Sequence, residues 1–273
     1  MSINTPIAFI GAGNMASSLA GGLIARGMNP GLIWMSDVDA TRLKGLEQTL
    51  KVQSNTQNTV VAAEGAVVVL AVKPQQMAQV LSEIAPILKK TQPLIISIAA
   101  GVTTERMQKA LGYKASIVRC MPNTPALVLT GATGMFANNQ VEEHQKSLAK
   151  NILGAVGIAL WVDTEEKLDA VTALSGSGPA YFFLVMEAMM AAGRQMGLDE
   201  VSARQLTLQT ALGAAQMAIT SDEDPSELRR KVTSPGGTTE KAIESFEAGG
   251  LRELFAKALA AAEQRSKELA QLN

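Results

Sequence analysis

Residues 7–23, IAFIGAGNMASSLAGGL, restrict the choice of fold more than any other stretch of this chain. A short apolar run passes directly into glycines and then into small residues with helical spacing. Gly11, Gly13 and Ala16 stand in the G-x-G-x-x-(G/A) pattern between a strand and a helix. Gly11 permits the tight turn, Gly13 has no side chain to hold a pyrophosphate away, and Ala16 lets the helix pack on a sheet. The start of that helix faces the phosphates. An acidic partner is at hand: Asp37 lies 24 residues past Gly13, after the strand-like run LIWMS (32–36). Together these predict a dinucleotide site; the alternative is a glycine-bearing turn with no ligand. A carboxylate at Asp37 accepts from a ribose 2′-OH and repels a 2′-phosphate. Two like charges ~4 Å apart at an effective dielectric of about 20 cost about 4 kcal/mol before screening. Arg42, a turn further on, offsets this, so the residues favour NADH without excluding NADPH.

The same alternation continues. Apolar runs at 66–72, 94–100, 115–121, 131–137 and 159–163 are separated by helical stretches. Such Val/Ile-rich runs predict a parallel sheet covered on both faces. Lys73-Pro74 and the stiff turn Pro122-Asn123-Thr124-Pro125 follow strands at the edge where ligands bind such sheets. Asn123 and Thr124 either line a nicotinamide pocket or simply make a turn. From Glu165 the text turns Ala-, Met-, Leu- and Glu-rich, and helices are expected near 165–174, 179–196, 199–220, 225–231, 238–247 and 250–271. The expected fold is therefore α/β, a Rossmann-type dinucleotide-binding domain (1–164) followed by an all-helical domain (165–273). Within the latter, AYFFLVMEAMMAAG (180–193) is apolar on every face, with Glu187 its single charge. A helix of this kind is shared with another subunit or central in a large core. An interlocked homodimer is the expectation.

Composition excludes other classes. A net charge of −1 with 18% charged residues and no basic run argues against nucleic acid or an anionic membrane surface. No segment offers 18 consecutive apolar residues, and the start, MSINTPIAFIGAG, lacks the basic region of a signal peptide. One cysteine, Cys120, leaves no internal disulfide and fits a reducing, cytoplasmic setting. The single histidine, His144, lies in a polar helical stretch, so no zinc site and no histidine-based nucleophile device is expected.

Two later segments carry chemistry. VTSPGGTTEKAIESF (232–246) opens a helix with Ser234, Pro235, two glycines and two threonines and no charge among them. Its first N–H groups are expected to stand uncovered, ready for an anion; the alternative is a Ser or Thr cap with Glu240 in the first turns. SGSGPAYF (175–182) repeats the theme, with Ser177 at a close backbone approach to nicotinamide or substrate, or at a tight helix contact. Glu165 and Glu166 read as a solvated helix start.

With FIGAGNMA, AVKP, SIAAGV, RCMPNTPA, DAVTALSGSGPAYFF and above all VTSPGGTTEKAIESFE, the chain resembles the pyrroline-5-carboxylate reductases from end to end. The resemblance implies reduction of 1-pyrroline-5-carboxylate to L-proline with NADPH or NADH, in a dimer often built into a ring of dimers. It puts the cofactor phosphates on Gly11, Ala12, Gly13, Asn14 and Met15 and the adenosine end near Asn58. Ala71, Val72, Lys73 and Pro74 fall beside its ribose and nicotinamide. It assigns the substrate carboxylate to Ser234, Gly237 and Thr238, and the ring nitrogen to Thr239. Two departures stand out: Asp37, where many members have small polar residues, and Lys231, where some have Asn. Rival readings are a β-hydroxyacid dehydrogenase, which would need a lysine such as Lys167, and a cofactor-binding sensor without turnover.

Overall fold

The computed structural model describes residues 4–272, in two compact units. The first comprises the chain up to Ser177 together with the residues from Ala261 onward, the second Gly178–Ala260.

In the first unit β1 (Ile7–Ile10), α1 (Asn14–Ala25), β2 (Ile33–Ser36), α2 (Ala40–Leu50) and β3 (Gln53–Asn55) form one half of a wound sheet. The other half runs α3 (Asn58–Glu64), β4 (Val67–Leu70), α4 (Met77–Thr91), β5 (Leu94–Ser97), α5 (Thr104–Leu111) and β6 (Ile117–Met121). Then come β7 (Gly131–Ala137), α6 (Glu143–Leu153), β8 (Gly157–Trp161) and α7 (Lys167–Val171). The strand order is β3-β2-β1-β4-β5-β6-β7-β8, so the winding reverses between β1 and β4. Two features depart from the sequence-based expectation. β3 is a polar three-residue strand with no apolar signal, and β7 runs antiparallel to β6 and carries β8 with it.

The apolar runs are continuous because both faces are buried. Along β1, Ile7 and Phe9 enter one core with Leu19, Leu23 and Ile33, while Ala8 and Ile10 enter the other with Val68, Leu70 and Ile84. Cys120 is buried and its thiol donates to the Ser97 carbonyl oxygen at 3.1 Å; burial pushes its pKa well up.

Glu165 is not solvated. Its Oε1 accepts from Thr104 N (2.8 Å) and Arg119 Nη1 (3.0 Å), and its Oε2 from Thr104 Oγ1 (2.7 Å). Arg119 is buried in β6 and needs a carboxylate, which a reading of local sequence could not supply from 46 residues away. After α7 the chain makes a π-turn, Thr172–Gly176. This turn and α7 stay with the sheet: Val171 fills the space a Cβ on Gly134 would take, 2.6 Å away.

The second unit holds α8 (Gly178–Gln195), α9 (Glu200–Thr220), α10 (Pro225–Lys231), α11 (Thr238–Ala248) and the first turns of α12 (Leu251–Leu272). Among the described residues no helix is long and apolar enough to cross a membrane, and no group of three or more His, Cys, Asp or Glu is placed to hold a metal ion.

Candidate active site

The turn after β1 is built on close backbone approach. Gly11 has φ +99°, its N–H donates to the Ser36 carbonyl at 2.9 Å, and a Cβ there would come 2.6 Å from the Ala71 carbonyl oxygen. No other residue type fits both demands. Gly13 is different: a Cβ on it would meet nothing within 4 Å, so the space above it is open. Gly13 also caps α1 without any side-chain bond, and the first turn carries no acidic residue. The leading N–H groups of Asn14, Met15 and Ala16 therefore have no acceptor within the helix. A small-residue cradle with bare donors at the winding reversal fits a dinucleotide pyrophosphate.

Asp37 stands on this cradle. Its Oδ2 accepts from Ala12 N (3.1 Å) and Arg42 Nη1 (3.1 Å), and its Oδ1 from Asp39 N (3.0 Å). Burial pushes its carboxyl up, yet the bonds from Asp39, Ala12 and Arg42 together hold it below its ordinary value. It is a fixed, ionised carboxylate, while about half of the Arg42 side chain that pairs with it is exposed. Asn58 joins the group: its Oδ1 accepts from Ser36 Oγ (2.8 Å) and its Nδ2 donates to Glu83 Oε2 (3.0 Å). The turn after β4 adds Ala71 and Val72, both half-buried against Gly11, then exposed Lys73 and half-buried Pro74 opening a 3₁₀ turn.

The turn after β6 is held by Asn123, which is buried. Its Oδ1 accepts from Ala132 N (2.8 Å) and its Nδ2 donates to the Ser175 carbonyl (3.0 Å) in the π-turn. Ser177, half-buried, follows that turn and donates its N–H to Thr172 O at 2.8 Å. The amide's partners lie 9 and 52 residues away, which left turn or pocket open from sequence alone.

In the second unit, Ser234 to Glu240 form one local structure. Gly236 has φ +72°, Gly237 N donates to Ser234 O (3.0 Å), and Gly237 caps α11 with no side-chain bond. The cap is thus neither Ser nor Thr. One expectation is corrected. The N–H groups ahead of this helix are not all uncovered, because the Glu240 carboxylate reaches back one turn and accepts from Gly236 N at 2.7 Å. Those of Thr238 and Thr239 stay bare at the first turn. Ser234 Oγ would lie 3.4 Å from a Cβ on Gly237, so the hydroxyl stands beside the exposed helix start. Lys231 is bound by Glu223 Oε1 at 2.5 Å. Lys167 is exposed and held by Asp163 at 2.7 Å, poorly placed as the base a hydroxyacid dehydrogenase needs. His144 lies exposed beside Glu142 at 3.2 Å.

A family model described as pyrroline-5-carboxylate reductase dimerisation matches residues 165–269, and one described as NADP oxidoreductase, coenzyme F420-dependent, matches residues 6–101. Pyrroline-5-carboxylate reductase of Pseudomonas aeruginosa is 54% identical over 270 residues, 98% of each chain. The solved structure of a pyrroline-5-carboxylate reductase from Coxiella burnetii has a TM-score of 0.95 at 49% identity, covering 98% of this chain and 99% of that one. A Plasmodium falciparum pyrroline carboxylate reductase, solved with NADP bound, has a TM-score of 0.85 at 30% identity over 98% of each chain. With more than half its residues shared along nearly the whole length of a relative, the chain belongs to the pyrroline-5-carboxylate reductase family.

Proposed function

We propose that this protein reduces 1-pyrroline-5-carboxylate to L-proline, with the labour divided between residues 1–164, which hold NAD(P)H, and 165–273, which hold the substrate and assemble the enzyme. The observation that carries this is the start of α11, where Ser234, Gly237 and the bare N–H groups of Thr238 and Thr239 suit a carboxylate next to a small ring. NAD(P)H, when bound, supplies the hydride. The cradle of Gly11, Ala12, Gly13, Asn14 and Met15 receives its phosphates, Asp37 and Asn58 its adenosine ribose end, and Ala71, Val72, Lys73 and Pro74 the strand-edge path toward the reacting ring.

A pyrroline nitrogen that already carries a proton makes C5 an electrophile, so the protein need not furnish a strong acid. Hydride added to C5 sends the C=N π electrons to nitrogen and yields the amine of proline. The task left to the side chains is orientation, which can be worth several kcal/mol. The Ser234 hydroxyl and the Thr238 N–H hold the carboxylate, while Gly237, whose own N–H is taken by Ser234 O, contributes only the room left by its missing side chain. Thr239 holds the ring nitrogen through its hydroxyl, and Ser177 stands at the cofactor edge of the sheet.

The assembly is a two-fold homodimer through the helical half, and a ring of such dimers is the higher assembly that the resemblance implies; sedimentation distinguishes the two. The test of the activity is absorbance at 340 nm. Oxidation of NADPH or NADH with pyrroline-5-carboxylate, but not with 3-hydroxy acids, is expected. A protein that binds the cofactor and oxidises it with neither would be a sensor instead.

A further inference from the structure

The backbone of the π-turn between α7 and α8 poses a problem that the fold solves from elsewhere. In a continuing α-helix the Ser175 carbonyl would accept from the N–H of residue 179, but that residue is Pro179 and has none. The turn widens instead, with Ser177 N reaching Thr172 O at 2.8 Å. The orphaned Ser175 carbonyl takes its hydrogen from Asn123 Nδ2 at 3.0 Å. Such five-residue widenings are rare and need support from their surroundings. Here the support is one buried amide, whose other end is fixed by Ala132 N at 2.8 Å. Only a side chain that both accepts and donates satisfies both partners, which is a demand for an amide rather than a carboxylate or an alkyl group.

Location gives this contact its meaning. Asn123 follows β6, which runs parallel to β5, so its turn lies at the same carboxyl edge of the sheet as the Gly11 turn. Gly176 is pressed onto the end of β6, where a Cβ would come 2.8 Å from Met121 Cε.

We infer that Asn123 is a positioning residue for hydride transfer: by holding the π-turn on the end of β6 it fixes the place of Ser177 at the cofactor edge. The inference rests on the reductase reading above. It makes Asn123 act through Ser175 and the turn.

The test compares wild type with Asn123→Asp, which keeps an acceptor for Ala132 N but presents oxygen to the Ser175 carbonyl. In the protein without cofactor, the Ser177 N–H should exchange with deuterium at least about tenfold faster, as the turn opens locally. In the complete enzyme kcat should fall roughly 10- to 100-fold, the scale of a misplaced reacting partner, while KM for NADPH stays within about twofold. The isotope effect on kcat with NADPH deuterated at the transferred position should rise. Unchanged exchange overturns the proposal, and so does faster exchange with wild-type kcat and isotope effect. Should Asn123→Asp fail to fold, Asn123→Ser decides. Its shorter hydroxyl cannot reach both Ala132 N and the Ser175 carbonyl, so exchange at Ser177 N–H should quicken and kcat should fall about 10- to 100-fold. Wild-type exchange, or faster exchange with wild-type kcat, overturns the proposal. A wild type inert toward pyrroline-5-carboxylate would instead remove the reading beneath it.

Discussion

The two units of this chain spend their apolar residues in opposite ways. In the sheet-bearing unit Ile7, Phe9 and Val68 have no exposure at all, and both faces of the central strands are covered. In the helical unit Phe182 is 68% exposed, Leu184 66% and Leu206 58%, and within α8 to α11 the buried residues are Gly178, Gly193, Ala203 and Thr207. A single chain completes the first core and leaves the second to be completed by association. Large exposed apolar surfaces on a folded protein mark contact sites. The contrast teaches that stability and assembly are separable in the first unit and inseparable in the second.

The sharpest way to break this contrast is to charge the helical unit. Phe182→Asp with Leu184→Asp removes about 1.5–3 kcal/mol of burial per side chain, before the cost of hiding two carboxylates. Sedimentation should show monomer at micromolar concentration, with helical circular dichroism reduced. A variant that stays assembled would show that α8 is not the contact.

Breaking the first unit takes a different kind of change. Glu165→Ala leaves Arg119 charged and unpaired inside the sheet, costing about 3–5 kcal/mol, or on the order of 10 °C in Tm. The loss should appear in thermal unfolding while sedimentation is unchanged.

Smaller effects separate the binding duties. Thr239→Ala removes one hydrogen bond at the reacting ring, about 1–3 kcal/mol, so kcat/KM should fall about 5- to 150-fold. Gly237→Val, crowding Ser234, should abolish proline binding in calorimetry while NAD(P)H still binds. Retention of full activity by Thr239→Ala would reduce the start of α11 to a plain helix end.

The smallest expected effect is cofactor preference. Asp37→Ser removes the fixed charge beside a 2′-phosphate and should move the kcat/KM ratio toward NADPH by about tenfold, roughly 1.4 kcal/mol. The sign of the pH dependence follows from the same charge. The Asp37 carboxyl is held below its ordinary value, so it remains ionised throughout pH 5–9. Only the cofactor's phosphate, with a second pKa of about 6, titrates there. As pH falls through that value one repelling charge is lost, and wild type should use NADPH relatively better; Asp37→Ser should flatten the slope. An unchanged ratio in Asp37→Ser would mean that Arg42 already governs this end of the site.

What was legible in sequence was local. Gly11, Gly13 and Ala16 announce their turn because backbone conformation and closeness are written in residue size, and the helices of the second half follow from their spacing. The glycine turn and helix start of α11 were legible, though not the return of Glu240 to Gly236, one turn away. β3 carries no apolar signal because it is a polar edge strand. The Glu165–Arg119 pair and the Asn123–Ser175 bond span 46 and 52 residues, and nothing at either end specifies the other. Their partners are chosen by strand order, which one-dimensional patterning does not contain.

The single thiol of this chain has a use of its own. Cys120 sits in the middle of the sheet with its hydrogen on Ser97 O and its ionisation suppressed, so alkylating reagents meet no nucleophile while the sheet is closed. Labelling therefore waits for the sheet to part, and its rate counts openings. The protein carries its own unfolding clock, with one hand, read by mass spectrometry without engineering a single residue.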